Sequence, residues 1–155
     1  MTLFVPDVNV LIYAFRADSP GHAAYADWLN GALQTDRVGV ADTILSGFVR
    51  VVTHPRIFAE PTPPADALAF VRQLIDAPGS EWLRQGSPAW DAFEDLARSD
   101  AGVRGNLVPD AHIAALCLAS GARLATRDRG FARFSGLKWF DPGADAAGRR
   151  RDQAA

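Results

Sequence analysis

Three short stretches each set an aspartate just after an apolar run: Val5-Pro6-Asp7-Val8-Asn9, Val108-Pro109-Asp110-Ala111-His112 and Ala125-Thr126-Arg127-Asp128. Asp7 and Asp110 share the same Val-Pro-Asp lead-in although most of the chain separates them. Carboxylates gathered in a small space repel one another, and a cation relieves that repulsion. Mg²⁺ suits such a site, since it takes oxygen ligands, keeps several waters and needs only one or two protein carboxylates. The chemistry that follows is phosphoryl transfer, with a phosphodiester polarised, a water activated, and a second ion available to steady the leaving oxygen. Asn9 can orient a water or a phosphate oxygen, and Thr126 can supply a hydroxyl to the same network. Asp42, after a further apolar run, is a possible fourth ligand.

A plainer account stands beside each residue. An aspartate between a strand and a helix is a common N-cap, which could describe Asp7, Asp42 or Asp110. Asp128, flanked by Arg127 and Arg129, could be a loop ion pair. Co-occurrence of the acids favours the chemical reading. His22, His54 and His112 share no metal-ligand spacing, and His112 is expected to pack or cap near Asp110. The chain lacks a Gly-x-Ser-x-Gly elbow, a phosphate-cradling glycine loop and a dinucleotide fingerprint. Asn9 rules against the Asp-x-Asp of aspartyl-phosphate phosphatases. Trp28, Trp82, Trp90 and Trp139 do not cluster as a stacking platform, and most are expected in the core.

The elements that must hold these residues can be read from the pattern. Thr2 to Val5 is a short strand ending at Pro6, and Val8 to Phe15 a helix with Leu11, Ile12 and Phe15 on one stripe. A second helix runs from His22 to Leu33, a strand over Val38 to Ala41, and a helix from Asp42 to about Val52, stopped at His54-Pro55. Helices are predicted over Ala65–Ile75 and Ala89–Arg98, with a short strand at Glu81-Trp82-Leu83 between them. Asp110 is expected to open a helix that ends at Ser120 with Gly121 as its C-cap. Leu124-Ala125 and Leu137 to Phe140 complete the strands. Strands alternating with helices predict an open, mostly parallel sheet covered on both faces, an α/β architecture. Ligands in such sheets bind beyond the carboxyl ends of the strands, where all four acids can meet.

The 155 residues suffice for one domain with a real core, and 48% hydrophobic with 22% charged residues is ordinary for a globular protein. Lone Cys117 excludes an internal disulfide framework and is expected to pack in a helix. No stretch is long and apolar enough to cross a membrane, and no secretory leader is evident, so a cytoplasmic location is expected. A net charge of −2 gives no general attraction to nucleic acid. Lys138 is nonetheless the single lysine among many arginines, and arginine grips phosphate with a planar fork. A codon bias towards arginine explains that equally well. The domain is expected over residues 1–142, followed by a disordered tail over 143–155 that contains Arg149-Arg150-Arg151.

At these residues the chain resembles the PIN-domain ribonucleases, specifically the VapC toxins of VapBC toxin-antitoxin pairs. Pro6-Asp7-Val8-Asn9-Val10-Leu11 is similar to the first acidic motif. Pro109 to Ala115 is similar to the third, and Thr126-Arg127-Asp128-Arg129-Gly130-Phe131 to the final one. The likeness runs from Leu3 to about Pro142. It implies a three-layer α/β/α fold, Mg²⁺ or Mn²⁺ dependence, and endoribonucleolytic cleavage of structured tRNA or rRNA. It also implies homodimers and inhibition by a VapB-type antitoxin that covers the acidic site. By this resemblance Asp7, Asp110 and Asp128 would be metal ligands and Asn9 and Thr126 would position water and phosphate. Arg127, Arg129 and Arg133 lie where substrate phosphates would approach. One departure is plain: the family often has a glutamate three residues before an arginine, and here Gly47 holds that place before Arg50. Asp42, five residues earlier, lies about 140° away on a continuous helix. Arg50 itself is expected in a salt bridge or a packing role. Two rivals remain open: a PIN-like protein that binds RNA or antitoxin with weak or lost catalysis, and a metallohydrolase of small phosphoesters, which would need a closed pocket.

Overall fold

The computed structural model describes residues 1–144, so the part of the expected tail beyond 144 lies outside the described residues. The elements in chain order are β1 (Leu3–Pro6), α1 (Val8–Phe15), α2 (His22–Thr35), β2 (Arg37–Val40), α3 (Asp42–Val52), α4 (Pro64–Asp76), β3 (Ser80–Trp82), α5 (Ser87–Ser99), α6 (Val108–Ser120), β4 (Arg123–Ala125) and β5 (Trp139–Phe140). Short 3-10 turns at Gly105–Leu107 and Arg129–Arg133 punctuate the second half.

The five strands form one sheet in the order β3-β2-β1-β4-β5, and every pairing is parallel. The expectation of a mostly parallel sheet is thus met without an antiparallel exception. Strands this short are held by burial: Val5, Val38 and Leu124 are completely excluded from solvent and Val40 nearly so. Pro6 removes a ladder donor, which a central strand tolerates only at its end, and there it sits opposite Ala125.

From β1 the chain moves outward to β2 and β3, then jumps back to β4 on the far side of β1. Right-handed crossovers then place the helices of the two directions on opposite faces. Phe15, Phe48 and Phe70 join α1, α3 and α4 in one layer, with ring centroids 4.9–5.5 Å apart. Trp28 of α2 meets Phe4 of β1 and Phe140 of β5, at 5.7 Å each. On the other side α5 packs along α6. Because the strands are parallel, their carboxyl ends share one edge. The point where the chain reverses direction, between β1 and β4, opens a crevice at that edge.

Local signals account for most helix ends. Gly121 closes α6 in the left-handed conformation at φ 66°, as its sequence position predicts. The start of α6 differs from expectation. The helix begins at Val108, with Pro109 in its first turn, so Asp110 sits inside that turn and Leu107 occupies the cap position. Pro109 lacks an amide hydrogen that the first turn does not need, which lets the helix start earlier.

One close approach ties β3 to the other layer. A Cβ on Gly79 would collide with the backbone of Leu33 at the end of α2. Gly79→Ala is expected to cost about 1–3 kcal/mol through overpacking. Urea unfolding measures it, and an unchanged midpoint would show that this contact does not constrain the sheet.

Candidate active site

β1 and β4 pair in register, and Asp7 and Thr126 are the residues that follow their paired ends. The Asp7 amide donates to the Ala125 carbonyl at 2.9 Å, continuing the ladder one step past the strand. Asp7 Oδ1 accepts from the Val8 amide at 2.8 Å, and Oδ2 accepts from the Thr126 hydroxyl at 2.9 Å. Thr126 Oγ1 in turn accepts from the Asp128 amide at 3.0 Å. Asp128 Oδ1 accepts from the Gly130 amide at 2.8 Å and caps the 3-10 turn that follows. Asp7 therefore does cap its helix, but the cap uses one oxygen while the other is bound across the sheet.

Asp110 arrives from the opposite direction. α6 leads into β4, so its N-terminal turn stands at the carboxyl edge of the sheet, facing Asp7 and Asp128. Burial, followed by the negative charges of Asp7 and Asp128, pushes its carboxyl up to about 6. Asp7, itself only 6% exposed, is also raised, chiefly by burial and in smaller part by Asp128. Its hydrogen bonds to Thr126 and Val8 pull the other way and are outweighed. Burial beneath Asp7 lifts the Cys117 thiol to about 12, so it is inert packing, as expected.

These acids line a cleft of about 1140 Å³. Its walls bring together Asn9 of α1, the Thr43, Ser46, Gly47 and Arg50 face of α3, Trp90 and Phe93 of α5, and Asp110 and His112 of α6. Asp42 does not join them. It occupies the exposed first turn of α3, one turn before Ser46, and is not among the residues that line the cleft. Gly47 lies on that inner face, where an added Cβ would approach Val8 Cγ2 to 3.1 Å. The absence of a side chain lets α3 close against the start of α1.

The arginines divide differently from expectation. Arg50 is exposed, lines the cleft, and makes no ion pair among the described residues; it is not the salt-bridge or packing residue its helix position suggests. Arg133 is held by both oxygens of Asp100, at 2.8 and 3.2 Å. Arg127 lies over the Tyr13 ring at 5.6 Å, and Arg129 is exposed beside Asp128; neither forms an ion pair among the described residues. Trp90 and Trp82 are about half exposed, at 53% and 49%, so they are not core residues.

The chemistry of this set fits a hard cation. Partly buried carboxylates repel one another with no basic side chain paired to Asp7 or Asp110 among the described residues. The buried Oδ1 of Asn9 has no hydrogen-bond partner beside them. No three acidic, histidine or cysteine side chains among the described residues converge as a direct ligand cluster. The fit is therefore to an ion held by two carboxylates and several waters, as Mg²⁺ prefers.

The PIN domain model matches residues 4–137. The chain belongs to the PIN-domain family, in its VapC ribonuclease branch. It is 47% identical to ribonuclease VapC43 of Mycobacterium tuberculosis over 137 residues, 88% of this chain and 92% of that one. It is 35% identical to ribonuclease VapC33 of the same species over 141 residues, covering 90% and 98%. VapBC2 of Rickettsia felis, solved bound to a DNA fragment from its promoter, superposes with a TM-score of 0.69 at 15% identity, covering 90% of this chain and 98% of that one. FitAcB from Neisseria gonorrhoeae gives 0.58 at 16% identity, covering 90% and 97%. These two share the fold.

Two measurements follow from the geometry. Below about pH 3 Asp110 is protonated whether the chain is folded or not. As pH rises to about 6 the unfolded chain ionises first, and the folded state loses stability until its own carboxyl has ionised. In metal-free protein Asp110→Asn should therefore stabilise above pH 6, by about 1 kcal/mol after allowing for solvent screening, and change little at about pH 3. Equal thermal shifts at both pH values would contradict the repulsion. Thr126→Val should cost about 1–3 kcal/mol in denaturant unfolding, because it strands one buried acceptor and one donor.

Proposed function

We propose that the protein is the toxin of a VapBC-type pair, an endoribonuclease that hydrolyses RNA phosphodiesters with Mg²⁺ or Mn²⁺. The observation that carries this reading is the convergence of Asp7, Asp110 and Asp128 at the β1/β4 reversal point, in an open cleft. Asp7 and Asp110 would hold the cation, with Asp128 acting on it through water. When bound, the cation supplies positive charge at the phosphoryl oxygens and makes water a better nucleophile there.

The chain's own groups do the rest. Thr126 locks the Asp7 carboxylate in place through Oδ2 and keeps Asp128 beside it. The Oδ1 of Asn9, lacking a protein donor, accepts a hydrogen from water and orients it. Arg50 faces the acids across the cleft and pairs with the phosphate on either side of the scissile bond. Arg127 and Arg129 add charge at the rim, whereas Arg133 serves mainly to tie the 3-10 turn to Asp100. Asp42 is a weaker candidate ligand, since it would act only from outside the cleft.

The substrate is a polymer. A small phosphoester would call for an enclosed pocket, while this cleft is open and drawn from the ends of four helices. Structured tRNA or rRNA is the substrate class proposed. The solved neighbours that are VapBC assemblies support a VapB-type antitoxin as the partner; its docking over the same cleft and a homodimeric working unit are part of the proposal. No helix among the described residues is long and apolar enough to cross a membrane, which agrees with the proposed cytoplasmic action on RNA.

The test is cleavage of total cellular RNA by purified protein freed of antitoxin, with Mg²⁺, with Mn²⁺ and with EDTA. Discrete fragments that need metal are expected. Asp7→Asn and Asp110→Asn should each lower the rate by about a hundredfold or more while the protein stays folded. Metal-dependent cleavage surviving in both variants would overturn the site. A folded protein that cleaves nothing, yet arrests growth, would favour the binding-only reading and make Gly47 the first suspect.

A further inference from the structure

The acidic centre occupies one end of the cleft; the wall supplied by α5 has a different character. Trp90 and Phe93 stand three residues apart on α5, with ring centroids 5.2 Å apart and planes at 38°. Phe93 meets the His112 ring of α6 edge-on at 6.2 Å. All three line the cleft, and His112 is two residues beyond Asp110. They form a continuous aromatic ledge that ends beside the carboxylates.

Trp90 is built to present a face. Its indole N–H donates to Glu94 Oε1 at 2.7 Å, and Glu94 is itself paired with Arg98 at 3.3 Å. The ring is thereby held in one orientation and its single donor is already used. What remains for a ligand is the π surface, about half of the side chain being open to solvent. Nucleobases stack on such surfaces with little regard to sequence, typically for about 1–3 kcal/mol per base. Across the cleft stand Arg50, Thr43 and Ser46, a cation and two hydroxyls suited to phosphate and ribose. Ile12, Val51 and Ile113 lie between these walls, and an aromatic ledge with a cation, hydroxyls and carboxylates in the same cleft offers a single RNA strand partners for base, ribose and phosphate.

We propose that Trp90, backed by Phe93 and His112, stacks an unpaired base of the RNA next to the cleaved phosphate. This rests on the ribonuclease reading and adds the requirement that the substrate be unpaired at the cut. It makes Trp90 a substrate-binding residue and leaves the metal chemistry to the carboxylates.

The experiment measures binding of a short adenine oligoribonucleotide and, separately, of inorganic polyphosphate, by fluorescence anisotropy competition at low salt without metal. Proteins compared are wild type, Trp90→Ala, Trp90→Phe and Trp90→Leu. The expected result is about a tenfold weaker hold on the oligonucleotide for Trp90→Ala, recovered largely by phenylalanine and not by leucine. Polyphosphate, which has no bases, should bind all four alike. Cleavage of total RNA by Trp90→Ala should show a raised KM with kcat little changed. Equal losses for both polyanions, recovery by leucine, or no binding of the oligonucleotide by wild type would overturn the stacking role; recovery by leucine would point to an apolar protein partner. Absence of RNA cleavage by wild type, with base-dependent binding intact, would instead sink the ribonuclease reading alone. Because Trp90 is about half exposed and its hydrogen bond stays within its own helix, its variants are expected to melt with wild type.

Discussion

The hydroxyl of Thr126 is the joint on which the acidic centre turns. It is fully buried, donates to Asp7 and accepts from the Asp128 amide, so one side chain fixes the ends of two parallel strands and the carboxylates they carry. A hydrogen bond to a charged group in a dry interior is worth more than one at the surface, and losing either partner leaves the other stranded. The β1/β4 register sets the distance, and the hydroxyl sets the angle. Every other feature of the site is arranged around a carboxylate that cannot rotate.

That rigidity is maintained against electrostatic tension. Both Asp7 and Asp110 lie at helix N-termini, where the macrodipole favours negative charge by roughly 0.3–1 kcal/mol. Burial and mutual repulsion exceed that benefit, and both carboxyls are raised. The fold has therefore assembled acids that are uncomfortable when ionised and empty-handed. A cation relieves the tension, and the same cation is what phosphodiester chemistry needs. Stability given up at the strand ends becomes affinity for the ion.

The walls divide the remaining labour. α3 brings small and polar side chains, and Gly47 lets it close upon Val8, the residue directly after Asp7. A larger residue there would press on the helix turn that Asp7 caps. Arg50, three residues on, lines the same cleft and makes no ion pair among the described residues. α5 supplies rings where α3 supplies charge, and the long jump from β3 back to β4 is what carries that helix to the opposite side of the crevice. In the proposed reading, substrate contacts come from segments distant in the chain, while the cation's ligands come from strand and helix ends.

Much of this was legible in the chain itself. Period and punctuation located every helix to within a few residues, since apolar stripes and proline or glycine boundaries act locally. The Val-Pro-Asp repeats and the Thr-Arg-Asp segment marked the carboxylates, because an acid after a buried strand is costly unless it has a purpose. Other decisions belonged to tertiary structure. Whether Asp42 or its neighbours face the cleft depends on the roll of α3 about its axis, which packing against α1 determines. Whether Arg50 pairs or stands free depends on which acids approach it, and Arg133 finds Asp100 across 33 positions of sequence. Trp90 reads as a core residue from its type alone. Only the placement of α5 along α6 leaves its ring in the open, since burial is a property of what surrounds a side chain and not of the side chain itself.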